Sequence, residues 1–82
     1  MEEPLEVEVL FSPRKRYPEP RQVLWRGAWE KVEKIHLVHE RWQAGIRHLV
    51  YSLSLGGTWL SVRFDPQRAR WFLEEIHPLT EP

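Results

Sequence analysis

The four histidines of this chain are the residues whose type best suits metal chemistry. They are His36, His39, His48 and His77. On a strand, His36 and His39 point to opposite faces and could not share a metal ion, whereas on a helix residues three apart lie on one face. The chain has no cysteine, and no well-spaced carboxylate completes a tetrahedral ligand set. We therefore expect no metal site and no cofactor.

Groups that could perform catalysis are also sparse. Asp65 is the only aspartate, and before Pro66 it suits a turn or a helix cap. Glu74 and Glu75 are adjacent, so on a strand they point apart and cannot flank one bond. The four serines lie outside any Gly-x-Ser-x-Gly motif, and Gly56-Gly57 lacks the pattern of a phosphate-binding loop. The sequence therefore predicts that the protein is not an enzyme.

Arginine and aromatic residues alternate at several points, which is typical of surfaces that bind single-stranded nucleic acid. If Trp59 and Arg63 share an outer face, they would form a stacking platform with Arg47 or His48 from the paired strand. However, the 12 basic residues are balanced by 12 acidic ones, so the net charge gives no support for a polyanionic partner. Binding of nucleic acid is therefore the second hypothesis.

The same candidate residues, Arg47, His48, Trp59 and Arg63, also suit a protein interface. Tryptophan and arginine are over-represented among the residues that dominate binding energy in protein complexes. A small β domain also has sheet edges, which accept a strand from a partner or from a second copy. The leading hypothesis is a protein-interaction module that binds a protein partner or forms a homodimer, with no small-molecule substrate.

Length and composition indicate one small domain over residues 1–82. The five tryptophans, which bury about 150–250 Å² each, could fill the thin core of such a domain. Asn is absent and nine of the 12 basic residues are Arg, which is compatible with a thermophilic source. The acidic start has no apolar signal region, and no apolar run approaches the roughly 20 residues of a membrane span. We therefore expect a cytoplasmic protein with no membrane partner.

Alternating apolar residues predict strands in both halves of the chain. Residues 5–11 and Arg21–Arg26 are expected to be strands, separated by an exposed, proline-rich loop at 12–20. In the second half, residues 47–55 and 58–64 alternate clearly around Gly56-Gly57, which is a signal for a two-residue hairpin turn. The sequence therefore predicts a β-hairpin over residues 47–64.

Two segments fit both helix and strand. In residues 29–42, a helix places Ala28, Val32, Ile35, Val38 and Trp42 together, whereas a strand needs a bulge to explain its change of parity. The β-branched residues of this segment favour the strand. The spacing in residues 66–76 favours a helix locally, but the same segment can form a strand over 70–76 with Trp71 and Leu73 facing inward.

The order of these landmarks resembles a small bacterial family known only as a domain of unknown function. The resemblance covers about residues 6–77, and Trp29 fits it, whereas His77-Pro78 replaces an Asp that many members carry. It implies a compact antiparallel β fold, which favours a strand over 70–76. It also implies a link to DNA repair, because some members are associated with error-prone translesion polymerase components. The residues that carry it are Glu6-Val7-Glu8-Val9, Leu24-Trp25-Arg26-Gly27, Val32, Ile35, Trp42, Tyr51, Arg70-Trp71-Phe72-Leu73 and Ile76.

Together these observations predict an all-β domain of about six strands, arranged as a bent antiparallel sheet or a small open barrel. The alternative is an α+β fold with a helix near residues 66–76. The residues expected to face the core are Val7, Val9, Trp25, Ile35, Leu37, Tyr51, Leu53, Leu60, Val62, Phe64 and Leu73.

Overall fold

The computed structural model describes residues 3–78, which form two antiparallel sheets and contain no helix, so none that could span a membrane. The larger sheet has the strand order β1-β8-β7-β6-β5, and the smaller has the order β2-β3-β4. The all-β prediction is therefore confirmed. The strands are β1 (Glu3–Leu5), β2 (Val7–Leu10), β3 (Glu19–Trp25), β4 (Ala28–Lys31), β5 (Lys34–Gln43), β6 (Ile46–Leu55), β7 (Thr58–Asp65) and β8 (Arg70–Pro78).

The chain changes sheet twice within residues 3–78, and each change divides a segment that the sequence predicts as one strand. The first change is at Glu6, between β1 and β2. At the second, the amide of Val32 donates to the carbonyl of Arg21 in the smaller sheet, at 2.9 Å. The next amide, of Glu33, donates to the carbonyl of Ser54 in the larger sheet, at 2.8 Å. These two breaks explain why the structure has eight strands instead of about six.

The core lies between the inner face of the larger sheet and the smaller sheet. Tyr51 and Trp71 pack at its centre with ring centroids 5.1 Å apart, and Phe64 lies 4.8 Å from Trp71. Val23 brings the smaller sheet into the same cluster and is fully buried. The buried members of the cluster are Val23, Leu49, Tyr51, Leu53, Leu55, Leu60, Val62, Trp71 and Leu73.

Ten of the eleven residues expected in the core are buried or packed against it. The exception is Leu37, which is 56% exposed, so its assignment to the core is wrong. The cause is a β-bulge at His36, where the register of β5 against β6 shifts between Ile35 and Leu37. The extra residue reverses the alternation, so Val38 packs on the core and Leu37 lies on the opposite face. Residues 29–42 are therefore strands with a bulge and not a helix.

The ambiguous C-terminal segment forms β8, so the alternative prediction of a helix near residues 66–76 is wrong. Trp71 and Leu73 face the core from β8, as the strand interpretation requires. Asp65 accepts hydrogen bonds from the amides of Gln67 and Arg68 at 3.0 and 3.3 Å, which stabilises the turn before β8. The aspartate that could cap a helix therefore has a turn role here.

Three hairpins in residues 3–78 close with a two-residue turn whose residues both have positive φ. The turn residues are Arg26-Gly27, Ala44-Gly45 and Gly56-Gly57. Such turns match the right-handed twist of the flanking strands, and glycine or asparagine is favoured in them. Ala44 has φ of 50°, in the left-handed region that costs a residue with a Cβ atom about 1 kcal/mol or more.

Replacing Ala44 by glycine should therefore stabilise the protein. We expect Ala44→Gly to raise the free energy of unfolding by about 0.5–1 kcal/mol in urea denaturation. The matched control is Ala28→Gly in the exposed strand β4, which should lower it by roughly the same amount because glycine weakens a regular strand. Equal destabilisation by both substitutions would contradict this interpretation of the turn.

The Tyr51 hydroxyl anchors the loop before β3 to the core. It donates to the carbonyl of Pro18 at 2.5 Å. Burial raises the pKa of Tyr51 above its usual value, and repulsion from Tyr17 adds to the shift. The folded protein therefore keeps Tyr51 as a neutral phenol. Folding becomes less favourable at a pH where this residue ionises in the unfolded chain.

The Tyr51→Phe variant tests this anchor. Loss of the hydrogen bond should lower the free energy of unfolding by about 1–2 kcal/mol near neutral pH. Above a pH of about 10, the stability of the natural protein should fall as pH rises, and the variant should lose less over the same range. Tyr17→Phe, which retains Tyr51, should keep the alkaline loss. The measurement is urea denaturation from neutral to alkaline pH.

Candidate interaction surface on the outer face of the larger sheet

Three of the four predicted site residues lie on the outer face of the larger sheet, the face turned away from the smaller one. His48 is on β6, and Trp59 and Arg63 are on β7. Their side chains alternate with core residues such as Leu49 and Val62, so they point away from the core. Arg47 differs, because its parity on β6 is that of Leu49, and its Nη1 lies 3.5 Å from Glu40 Oε2. Arg47 is therefore not part of this surface.

A network of charged side chains crosses the middle of the outer face. Glu74 Oε2 accepts hydrogen bonds from Arg41 Nη1 at 2.7 Å and from Arg63 Nε at 3.1 Å. Arg63 Nη1 lies 2.6 Å from His48 Nδ1, and because a guanidinium can only donate, this ring nitrogen accepts. The guanidinium of Arg63 also lies 4.7 Å from the centre of the Phe72 ring. The network links β5 to β8 across the two strands between them.

The centre of the network is buried although no second layer of secondary structure in residues 3–78 covers this face. Arg63 is 3% exposed and His48 is 5% exposed. Val50, which lies opposite Arg63 in the pairing of β6 with β7, is 2% exposed on the same face. Sequence reasoning missed Arg41 and Glu74. Arg41 faces outward only as a result of the β-bulge at His36 in β5, and the pairing of β8 with β7 contains a second bulge at Glu74 itself.

Trp59 lies at one end of the outer face, between two histidine rings. The ring of His36 lies edge-on at 5.5 Å, and that of His77 at 6.1 Å. Trp59 is 39% exposed, so part of the indole remains open to solvent. The sequence offered no local signal for this cluster, since its members come from β5, β7 and β8.

A shallow groove of about 190 Å³ separates Trp59 from Arg41. The groove exists because Ser52 and Ser61, which face each other on β6 and β7, are small. Its lining combines hydroxyl, imidazole, indole and charged groups, so it suits a partner that is part apolar and part polar. The other lining residues are His39, Val50, Leu60, Glu75 and His77.

Neither a metal site nor a similar protein indicates what this surface binds. Within residues 3–78, no group of three or more His, Asp or Glu side chains is placed to hold a metal ion. Comparison with protein-family models, characterised proteins and solved structures gives no match. The resemblance to a family of unknown function therefore stays a prediction, and the function is inferred from the geometry of this surface.

Glu74 should contribute more to the stability of this network than any other carboxylate near it, because it accepts hydrogen bonds from both Arg41 and Arg63. Glu74→Gln removes the charge of the carboxylate that accepts from both Arg41 and Arg63, so the free energy of unfolding should fall by about 1.5–3 kcal/mol in urea denaturation. The matched control is Glu75→Gln, an exposed neighbour, which should change it by no more than about 0.5 kcal/mol. Equal effects of the two substitutions would show that the network does not stabilise the fold.

Proposed function

We propose that this chain is a protein-interaction module whose docking surface is the outer face of the larger sheet. The observation that carries the proposal is Trp59, a partly exposed indole between His36 and His77 beside an open groove. Tryptophan is over-represented among the residues that dominate the binding energy of protein complexes. Trp59 is therefore the anchor that a partner would contact.

The surroundings of Trp59 favour binding because they are fixed before a partner arrives. Arg41, Arg63 and Glu74 hold one another in place, and His48 is bonded to Arg63. Binding to such a surface requires little additional ordering of side chains, which lowers its entropic cost. The groove then offers the partner a cavity for one side chain beside the indole.

The charges favour a protein over single-stranded nucleic acid. Arg41 and Arg63 share the carboxylate of Glu74, and Glu75 adds a negative charge at the groove. A surface that binds phosphates needs positive charge that is not already neutralised. Nucleic acid remains the second candidate because a base could stack on Trp59. Among protein partners, a cytoplasmic component of DNA repair or replication is the one that the sequence resemblance favours.

The role of Trp59 can be tested by affinity capture followed by mass spectrometry. We expect Trp59→Ala to lose a protein that the natural chain captures, with a decrease of at least about tenfold, because a tryptophan anchor contributes about 2 kcal/mol or more. The matched control is Trp29→Ala, which removes a 51% exposed indole from β4 in the smaller sheet and should retain the protein. Circular dichroism would verify that both variants fold.

Two results would contradict the proposal. One is capture of the same proteins, in the same amounts, by Trp59→Ala and by the natural chain. The other is tight binding of a single-stranded oligonucleotide that weakens steeply with salt and is lost in Trp59→Ala, which would favour the nucleic-acid alternative. We expect the oligonucleotide to bind weakly even at low salt, because the charges of Arg41 and Arg63 are balanced by those of Glu74 and Glu75.

A further inference from the structure

β5 is an edge strand of the larger sheet, and its outer side is unpaired within residues 3–78. From Leu37 to Gln43 its pairing with β6 is regular. Edge strands are usually protected by charged side chains, by proline, by bulges or by a covering segment. This stretch has no proline, the bulge at His36 lies before it, and its charged residues Glu40 and Arg41 are already paired with charges of the same chain. It therefore offers seven consecutive residues for pairing with another strand.

The positions of the free backbone groups follow from the adjacent turn. Gln43 and Ile46 flank a two-residue turn, so they form a hydrogen-bonded pair. Hydrogen-bonded and non-hydrogen-bonded pairs alternate along an antiparallel ladder. Val38, Glu40 and Trp42 therefore direct their N–H and C=O groups away from β6. In residues 3–78, no backbone hydrogen bond outside the strand pairs involves these three residues.

We propose that β5 pairs with β5 of a second copy of this chain around a two-fold axis at Glu40. In this register Val38 lies opposite Trp42 of the second copy, and the two Glu40 residues lie opposite each other. Every outward group of the regular segment then has a partner, which gives about six backbone hydrogen bonds, two for each pair of residues. The two larger sheets become one continuous antiparallel sheet.

The side chains of β5 agree with this register. Trp42 is 68% exposed in the single chain and would cover Val38 of the second copy. The two Glu40 carboxylates at the axis are compensated within each chain, because Arg47 and Arg16 lie 3.5 and 4.0 Å from the carboxylate. Tyr17 also donates its hydroxyl to Glu40 at 3.1 Å. A different partner strand would need its own apolar residue opposite Trp42. A second copy supplies Val38 at that position, and its own Trp42 lies opposite Val38 of the first copy.

This contact adds a second surface to the proposed interaction role and does not depend on Trp59. It consists of one strand edge and two tryptophans, which is small for a protein interface, so we expect a weak dimer. The outer faces of both copies would stay accessible. A dimer would therefore present two docking surfaces on one extended sheet.

The Glu40→Pro substitution separates this proposal from the alternatives. The N–H of Glu40 points away from β6, so Glu40→Pro should remove the outward donor while leaving the fold intact. The control is Glu40→Ala, which removes the same side chain but keeps the N–H. In sedimentation velocity from about 10 μM to about 1 mM, we expect the natural chain and Glu40→Ala to dimerise, and Glu40→Pro to associate at least tenfold more weakly.

Hydrogen–deuterium exchange of the natural chain provides a second measurement that needs no variant. The amides of Val38, Glu40 and Trp42 should become protected as concentration rises, whereas those of His39 and Arg41, bonded to β6, should be protected throughout. A monomer at about 1 mM, equal dimerisation of both variants, or no protection of the outward amides would overturn the proposal. Trp59→Ala should dimerise normally, so failure of this inference and failure of the proposed function are distinguishable.

Discussion

The two-residue period of the strands is the constraint on which the rest of this structure depends. Along β6 and β7, each core residue is followed by a residue of the outer face, so Leu49, Tyr51 and Leu53 alternate with His48, Val50 and Ser52. Packing against the smaller sheet fixes which set faces inward. The same packing therefore fixes which side chains of β6 and β7 lie on the candidate surface.

Two bulges interrupt this alternation, and each brings to the outer face residues that a regular strand would direct into the core. Without the bulge at His36, Arg41 would point inward with Ile35, and it could not reach Glu74. The second bulge is at Glu74, because the register of β7 against β8 shifts from the Val62–Leu73 pair to the Ser61–Glu75 pair. It places His77 beside Trp59 on the outer face. The two bulges thus bring together side chains that regular alternation along β5 and β8 would not place on the same face.

These two bulges also explain what the sequence could and could not predict. The hairpin of β6 and β7 follows from alternation and the Gly56-Gly57 turn, so its core residues and the outer position of Trp59 and Arg63 were predictable. A bulge has no fixed residue signature, which is why Leu37 was misplaced. The changes of sheet at Glu6 and at residues 32–33 were not predictable either, because they are set by backbone hydrogen bonds between distant strands.

Long charged side chains take the place of a third layer over the middle of the outer face. Arg63 and Val50, which are paired across β6 and β7, are 3% and 2% exposed, and Glu74 accepts hydrogen bonds from both Arg63 and Arg41. Where Ser52 and Ser61 face each other, the side chains are too short to continue this cover. The sheet is therefore left open next to the partly exposed indole of Trp59, and under the proposed function a side chain from a partner would fill this opening.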